Sequence, residues 1–402
     1  MSGITGLGTT FNLPNYAGEL IALTPSDTPL LSAAGGIGGG KSTDSTSFEW
    51  QTYDLRDPAI RARLEGADAP TAEERVRANV ENVVQIFHEK VSTSYSKQAA
   101  TGELATPGSA PFRSNSGESP VVSEHAWQIE QALKQIARDV NYTFWHGTKV
   151  KPTTNATARQ TAGLLSVVTS NAQVADQALT AGASAATDTI TVTHNLVLHD
   201  KVVFTSVGAS TTIVPGRAYW VVSPTTTTAF KVSATKGGAA ITIGTATVSF
   251  YGIKAATVVT TDMVGNLLQS VFDNGGITEQ GTATLFVPSG QKRALTKAYA
   301  TSYSASSLLG GTRNIGGVSV DTIITDFGTL NVAVDRALPA DALAVVSLEQ
   351  VDPVFLNVPN KGVLFEEELA KTGASDNTQI YGEIGLKYGS EAAHGVLRGL
   401  FA

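Results

Sequence analysis

The sequence predicts a mixed α+β fold interrupted by a small all-β module. Three features carry that reading: one long amphipathic helix at 123 to 146, strand-like segments both before it and near the C-terminus, and a Thr- and Val-rich stretch at about 172 to 254. The helix organises the rest. Ser123 stands where a side chain caps the first backbone donors, Glu124 suits the positive end of the helix dipole, and Gly147 offers a stop. Between them Ile129, Leu133, Ile136, Val140 and Phe144 recur at spacings of three and four, drawing one apolar stripe. With no Pro or Gly from Glu124 to His146 the helix should run unbroken for about 33 Å. Glu130, Lys134, Gln135, Arg138 and Asn141 occupy its other sides, so it is either a spine packed by one face on a sheet or an ordinary helix of an α+β domain.

A chain of 402 residues has room for two to three domains, each able to bury a core. Cysteine is absent, which removes disulfides, thiol nucleophiles and thiolate metal sites and fits a reducing compartment. The first residues carry no basic segment followed by an apolar run, and no stretch is apolar enough to span a bilayer, so neither secretion by the usual signal nor a membrane partner is expected. A formal charge of -7 gives no global case for wrapping nucleic acid. Only 16% of residues are charged, a light coat for a soluble monomer, and this favours a chain whose outside becomes an inside through assembly.

Residues 1 to 47 are rich in Gly, Ser, Thr and Pro and read as an arm that needs something to lie on. Within it GGIGGGKS, Gly35 to Ser42, formally matches a phosphate-binding loop, but neither a buried strand precedes it nor a helix start follows, and a glycine turn explains it better. Phe48 to Tyr53 alternates as a strand, with Phe48, Trp50 and Thr52 on one side. A run of mixed charge follows, and Val80 to Tyr95 supplies a returning extended segment whose alternation breaks at Val83 and Val84. The charged run is either a solvated face or the tip of a protruding hairpin that grips a neighbour.

Residues 101 to 120 form a Pro, Gly and Ser linker into the helix. After an alanine-rich linker at 172 to 187, short strands recur near Thr189, Lys201, Ala218, Ala229 and Ala246, punctuated by Pro215, Gly216, Pro224 and Gly237. They read as an inserted β-sandwich with Trp220 filling its core. Beyond it, Asp262 to Phe272 is a helix with Met263, Leu267, Leu268 and Phe272 inward, and Ser289 caps another. Strands follow near 284 to 287, 318 to 324, 330 to 334, 343 to 348, 363 to 369 and 379 to 388.

Catalytic patterns are lacking. His88, His125, His146, His194, His199 and His394 are scattered, with no HExxH; there is no nucleophile elbow and no calcium loop. Asp54 and Asp57 lie beside arginines that neutralise them. Lys292, Arg293 and Lys297 are a phosphate-facing cluster or the solvated side of a helix. The reading is a non-enzyme with no cofactor and no metal.

The segments NYAGEL (15 to 20), TPSDTPLLSAAGG (24 to 36), FEWQTYDLRDPAIRARLEGADAPTAEER (48 to 75), QIARDVNYTFWHGT (135 to 148) and NATARQTAGLL (155 to 165) resemble the major capsid proteins of tailed bacteriophages. The resemblance implies the Hong Kong 97 phage-type capsid fold; the inserted β-module departs from its minimal form and resembles the small immunoglobulin-like β-domains of phage structural proteins. By position it implies an N-terminal arm at 1–47, an extended loop and its base at 48–98, a peripheral domain with the spine helix at 99–171, the inserted sandwich-like domain at 172–254, an axial domain at 255–340 and a return to the peripheral domain at 341–402. It implies a protein that self-assembles, as pentamers and hexamers, into the icosahedral shell around a double-stranded DNA genome, in the virion and built in the host cytoplasm. Scaffolding protein, portal, decoration protein and non-specifically packaged DNA are the further partners. The residues expected at intersubunit contacts are Trp50, Tyr53, Arg56, Asp57, Arg61, Arg63 and Glu65, each with a local intrachain salt bridge or simple solvation as the alternative. The alternative is a phage tail or other self-assembling virion structural protein.

Overall fold

A computed structural model describes residues 24–37, 39–53, 55–56, 58–71, 73–99, 124–176, 178–184, 188–254, 257–276, 283–306, 322–325, 327–371 and 373–401. The expected cap Ser123, the first part of the arm and the 101 to 120 linker lie outside them, as does Asp57. The chain divides into two compact units, one drawing on residues 1–27, 86–139 and 358–383 and the other on 28–85, 140–357 and 384–402.

In the first unit, strands Leu364–Glu368 and Ser375–Lys387 pair antiparallel from Leu364↔Gly382 to Glu368↔Thr378, and Gln85–Ser94 pairs with the same long strand. The helix Glu124–His146 starts here. His125 fastens it: Nδ1 lies 3.0 Å from the Thr93 hydroxyl and Nε2 2.8 Å from that of Thr378. Lys97 pairs with Glu124 at 2.6 Å in the helix's first turn. Leu133 is 37% exposed, so the predicted stripe is buried only from Ile136 onward.

The second unit is built on a six-stranded mixed sheet ordered Thr322–Thr325, Gly328–Val334, Ala283–Val287, Leu343–Ser347, Gly395–Arg398, Ala172–Val174. Its two central strands, Ala283–Val287 and Leu343–Ser347, are buried at every residue, as strands covered on both faces must be. This corrects the division at residue 340, because segments from both sides of it share one sheet. Helix Thr261–Asp273, capped by the Thr260 hydroxyl accepting from Met263 N at 3.2 Å, packs Val264, Leu267, Leu268 and Val271 on that core. Phe272, expected inward, is 47% exposed because the burying face runs through 264, 267, 268 and 271.

The C-terminal part of the long helix belongs to this unit. Val140, Phe144 and Trp145 are fully buried, with the Trp145 ring edge-on to Phe286 at 5.4 Å. The carboxylate of Asp335, itself fully buried, accepts from Trp145 Nε1 at 2.8 Å, from Asn141 Nδ2 at 3.2 Å and from the backbone of Ala337 at 2.8 Å. Asn141 Oδ1 in turn accepts from Leu31 N at 3.0 Å. Gly147 does end the helix, but for want of space: a Cβ there would lie 2.3 Å from the Thr161 carbonyl oxygen.

Part of the arm is also docked. Leu30 and Leu31 in the short helix Pro29–Ala33 are buried, and Lys41–Thr43 runs parallel to Asp352–Leu356. The glycine run therefore leads into a strand, and the Lys41 ammonium meets Asp352 at 2.8 Å. No anion-cradling helix follows it, so the phosphate-loop match is a coincidence of composition.

The inserted module is a closed six-stranded barrel, ordered Ala229–Ser233, Thr189–Thr191, Ala178–Ser184, Ala246–Ile253, Lys201–Ser206, Ala218–Thr226, and not a two-layer sandwich. It begins at Ala178, since 172–174 belongs to the larger sheet. The alanine-rich stretch supplies the closing strand: Ala181 and Ala183 point into the crowded interior, where a small residue fits despite its weak strand propensity. Phe204, Phe230 and Phe250 fill the centre at 5.3 to 5.8 Å ring separations together with Tyr219. Trp220 does not fill it; alternation along the strand turns Trp220 outward, between inward Tyr219 and Val221.

His394 is almost wholly buried, with Nε2 donating to Tyr388 O at 2.8 Å and Nδ1 accepting from Ser347 N at 3.3 Å. Burial lowers its pKa from the ordinary histidine value, so it is neutral in the fold. The unfolded chain takes up the proton more readily, and this contribution to stability is complete above about pH 6.5 and is lost as pH falls through the folded-state pKa. His146, half-buried and held by Ala337 O at 2.7 Å, shifts the same way. His394→Gln keeps a donor and an acceptor without the charge; its unfolding midpoint is expected to fall less than the parent's between pH 7 and pH 5, measured by thermal melts.

Candidate assembly site

The strands Ser47–Tyr53 and Arg77–Val83 form an antiparallel hairpin in register from Ser47↔Val83 to Tyr53↔Arg77. Alternation puts Phe48, Trp50 and Thr52 on its half-buried side, as the sequence predicts. The returning strand ends at Val83, and the fully buried Val84 separates it from Gln85–Ser94, which accounts for the break in alternation.

The base of the hairpin is fastened to its own unit. Asn82, without exposure, donates to Leu386 O at 2.6 Å and accepts from Ala162 N at 2.9 Å, satisfying a buried amide between two segments. Trp50 Nε1 donates to Gly389 O at 2.7 Å and its ring stands edge-on to Tyr388 at 4.8 Å. Phe48 lies against Gly385, where a Cβ would come within 2.7 Å of its ring. Glu81 pairs with Lys149 at 3.0 Å and with Lys151, and those hydrogen bonds hold its carboxyl below the usual range.

Beyond Tyr53 the environment reverses. Ile60 is 100% exposed and Leu64 86%, with Tyr53, Leu55 and Val76 also largely in solvent. The chain turns back at Leu64–Ala67, with Ala67 N donating to Leu64 O at 3.2 Å and Gly66 at φ 78. Glu73 is the centre of the charged part: Arg61 reaches it at 2.8 Å, Arg56 at 3.2 Å and Arg75 at 3.5 Å. The Arg61 hydrogen bond, then the three guanidinium charges, hold its pKa down. Arg63 contacts the Asp68 carbonyl at 3.5 Å, and Glu65 is exposed.

Of the residues singled out in the sequence, Arg56 and Arg61 are brought together, by Glu73, which had not been singled out. Trp50 is hydrogen-bonded within the chain, at the base of the hairpin. Tyr53, Arg63 and Glu65 lie on the exposed loop, and Asp57 is outside the described residues. Charge pattern does not point to Ile60 and Leu64; their signal in the sequence is that of isolated aliphatics in a solvated segment.

A sequence model of the family described as SU10 major capsid protein matches residues 3–401. No curated protein matches. Among solved structures, the capsid asymmetric unit of cyanophage A-1(L) aligns with a TM-score of 0.56 at 10% identity, covering 99% of each chain. The capsid of cyanophage P-SCSP1u aligns at 0.50 with 11% identity, covering 98% of this chain and 95% of that one. The capsid of an empty GTA particle also aligns at 0.50 with 10% identity, covering 99% and 98%. At such identities these likenesses speak for the fold alone.

Proposed function

This chain belongs to the SU10 major capsid protein family and is a shell-forming virion protein with the Hong Kong 97 phage-type fold, and from that premise we propose that loop 54–76 is its principal grip on the neighbouring subunit. The observation that carries the reading is the contrast within one hairpin, fastened through Asn82 and Trp50 at its base and bare at Ile60 and Leu64. An extended loop that buries nothing on its own subunit gains its ordering free energy only at another. Tyr53, Arg63 and Glu65 join that contact, the Glu73 cluster stiffens the loop, and Trp50 sets the angle at which it leaves the subunit.

The surrounding organisation is part of the same reading: subunits arranged as pentamers and hexamers of an icosahedral shell around double-stranded DNA, built in the host cytoplasm. Scaffolding protein, portal and decoration protein are its proposed partners. The tail-protein alternative lacks a comparable observation, and a structural family offers no ground for an enzyme.

Purified full-length chain, alone and with its scaffolding protein, tests the proposal by negative-stain microscopy and sedimentation. Closed shells or rings of five or six subunits are expected. A monomer under every assembly condition would overturn it.

A further inference from the structure

Trp220 sits on the outside of the barrel in unusual company. From Lys201 to Ile253 the sequence holds the cations Lys201, Arg217, Lys231 and Lys236 and not one Asp or Glu, in a chain of formal charge -7. Among the described residues no carboxylate pairs with any of the four. Elsewhere Lys41, Lys97, Lys134, Lys149, Lys254, Lys361 and Lys371 each have a carboxylate within 3.0 Å. The registers Lys201↔Trp220, Ser233↔Trp220 and Lys231↔Val222 set these side chains on three adjacent strands. The Lys201 ammonium lies 4.8 Å from the centre of the Trp220 ring and that of Lys236 5.8 Å. The indole takes no part in the barrel core, which is complete with Tyr219 and the three phenylalanines.

We propose that this face of the barrel, centred on Trp220 with Lys201, Lys231 and Lys236, binds an anionic polysaccharide. An unbalanced cationic surface with an outward-facing, half-buried aromatic attracts a ligand that joins fixed negative charge to apolar C–H surface, and a charged sugar chain is such a ligand. The spacing of the cations is compatible with such a chain. Lys201 and Lys231 lie two strands apart, about 10 Å at the usual strand separation. A polymer whose charges are a sugar ring or more apart can place two of them at that interval. The ammonium groups, drawn to the π face when alone, swing on flexible stems onto the ligand's anions and leave the ring to its C–H face.

The site does not depend on the shell reading and is tested on unassembled full-length chain. Polygalacturonate, phosphomannan, uncharged dextran and duplex DNA, matched in concentration of charge where charged, are titrated at low salt with tryptophan fluorescence and direct binding as readouts. At least one anionic polysaccharide is expected to bind more tightly than DNA and dextran; which one identifies the anion as carboxylate or phosphate. Replacing Lys201, Lys231 and Lys236 together by Gln should weaken binding by at least about tenfold. Trp220→Ala should weaken it by about fivefold and abolish the fluorescence change. The Gln variant removes no core group and decides the matter even where Trp220→Ala unfolds. Binding of both variants like the parent, tighter binding of DNA, or no preference over dextran would overturn the proposal.

Discussion

Asp335→Ala is expected to destabilise the subunit by about 3 kcal/mol or more. The side chain has no exposure, and its carboxylate is shared by the Trp145 indole, the Asn141 amide and the Ala337 backbone. Alanine strips the acceptor from all three donors, and a buried donor without a partner costs about 1–3 kcal/mol. The damage spreads further, since Asn141 also holds Leu31 N and through it the docked helix Pro29–Ala33. Asp335→Asn retains one acceptor and turns an amide toward a donor, so it should fall between alanine and the parent. Urea unfolding of the three proteins, followed by tryptophan fluorescence, checks the order. Equal midpoints for alanine and parent would mean that the network contributes nothing net.

Ile60→Glu combined with Leu64→Glu is expected to abolish shell formation while leaving the subunit as stable as before. Both side chains lie in solvent and pack on nothing within their own chain, so the melting temperature should stay within about 2 °C, as surface substitutions generally allow. At an interface the same change places two carboxylates where apolar surface must be dried, and an unpaired buried charge costs several kcal/mol. Since each subunit offers this loop, the loss recurs at every contact of the shell. Sedimentation should show a shift from assembled to unassembled protein of more than tenfold. Normal shells from the double variant would remove loop 54–76 from the interface. Trp50→Phe is the complement: it removes the hydrogen bond to Gly389 but keeps a ring against Tyr388, so loss of assembly is expected to be partial.

Periodicity was a dependable guide wherever one face of an element meets one environment. Ile136, Val140 and Phe144 on the long helix, and Phe48, Trp50 and Thr52 on the hairpin, fall on the buried side because burial repeats with the geometry of the element. The same logic misled at Leu133 and Phe272, where the stripe continues in sequence but the neighbour that would cover it does not. It misled at Trp220 for a related reason: size and hydrophobicity argue for the inside, while the position on the strand, set by the pairing of three strands, decides for the outside.

By itself the sequence determined the mixed α+β class, the long helix, the inserted all-β module and, through the resemblance of its extended segments, the capsid family. These follow from local pattern and from composition, both carried by neighbouring residues. The tertiary structure alone decided that the module closes into a barrel, that segments on both sides of residue 340 share one sheet, and that Asp335 lies under the C-terminal turns of the long helix. The same holds for Glu73 gathering arginines from both sides of the loop. Each of these joins residues far apart in the chain. Strand order and the partner of a buried carboxylate depend on which segments meet in space, and a one-dimensional pattern carries no record of that.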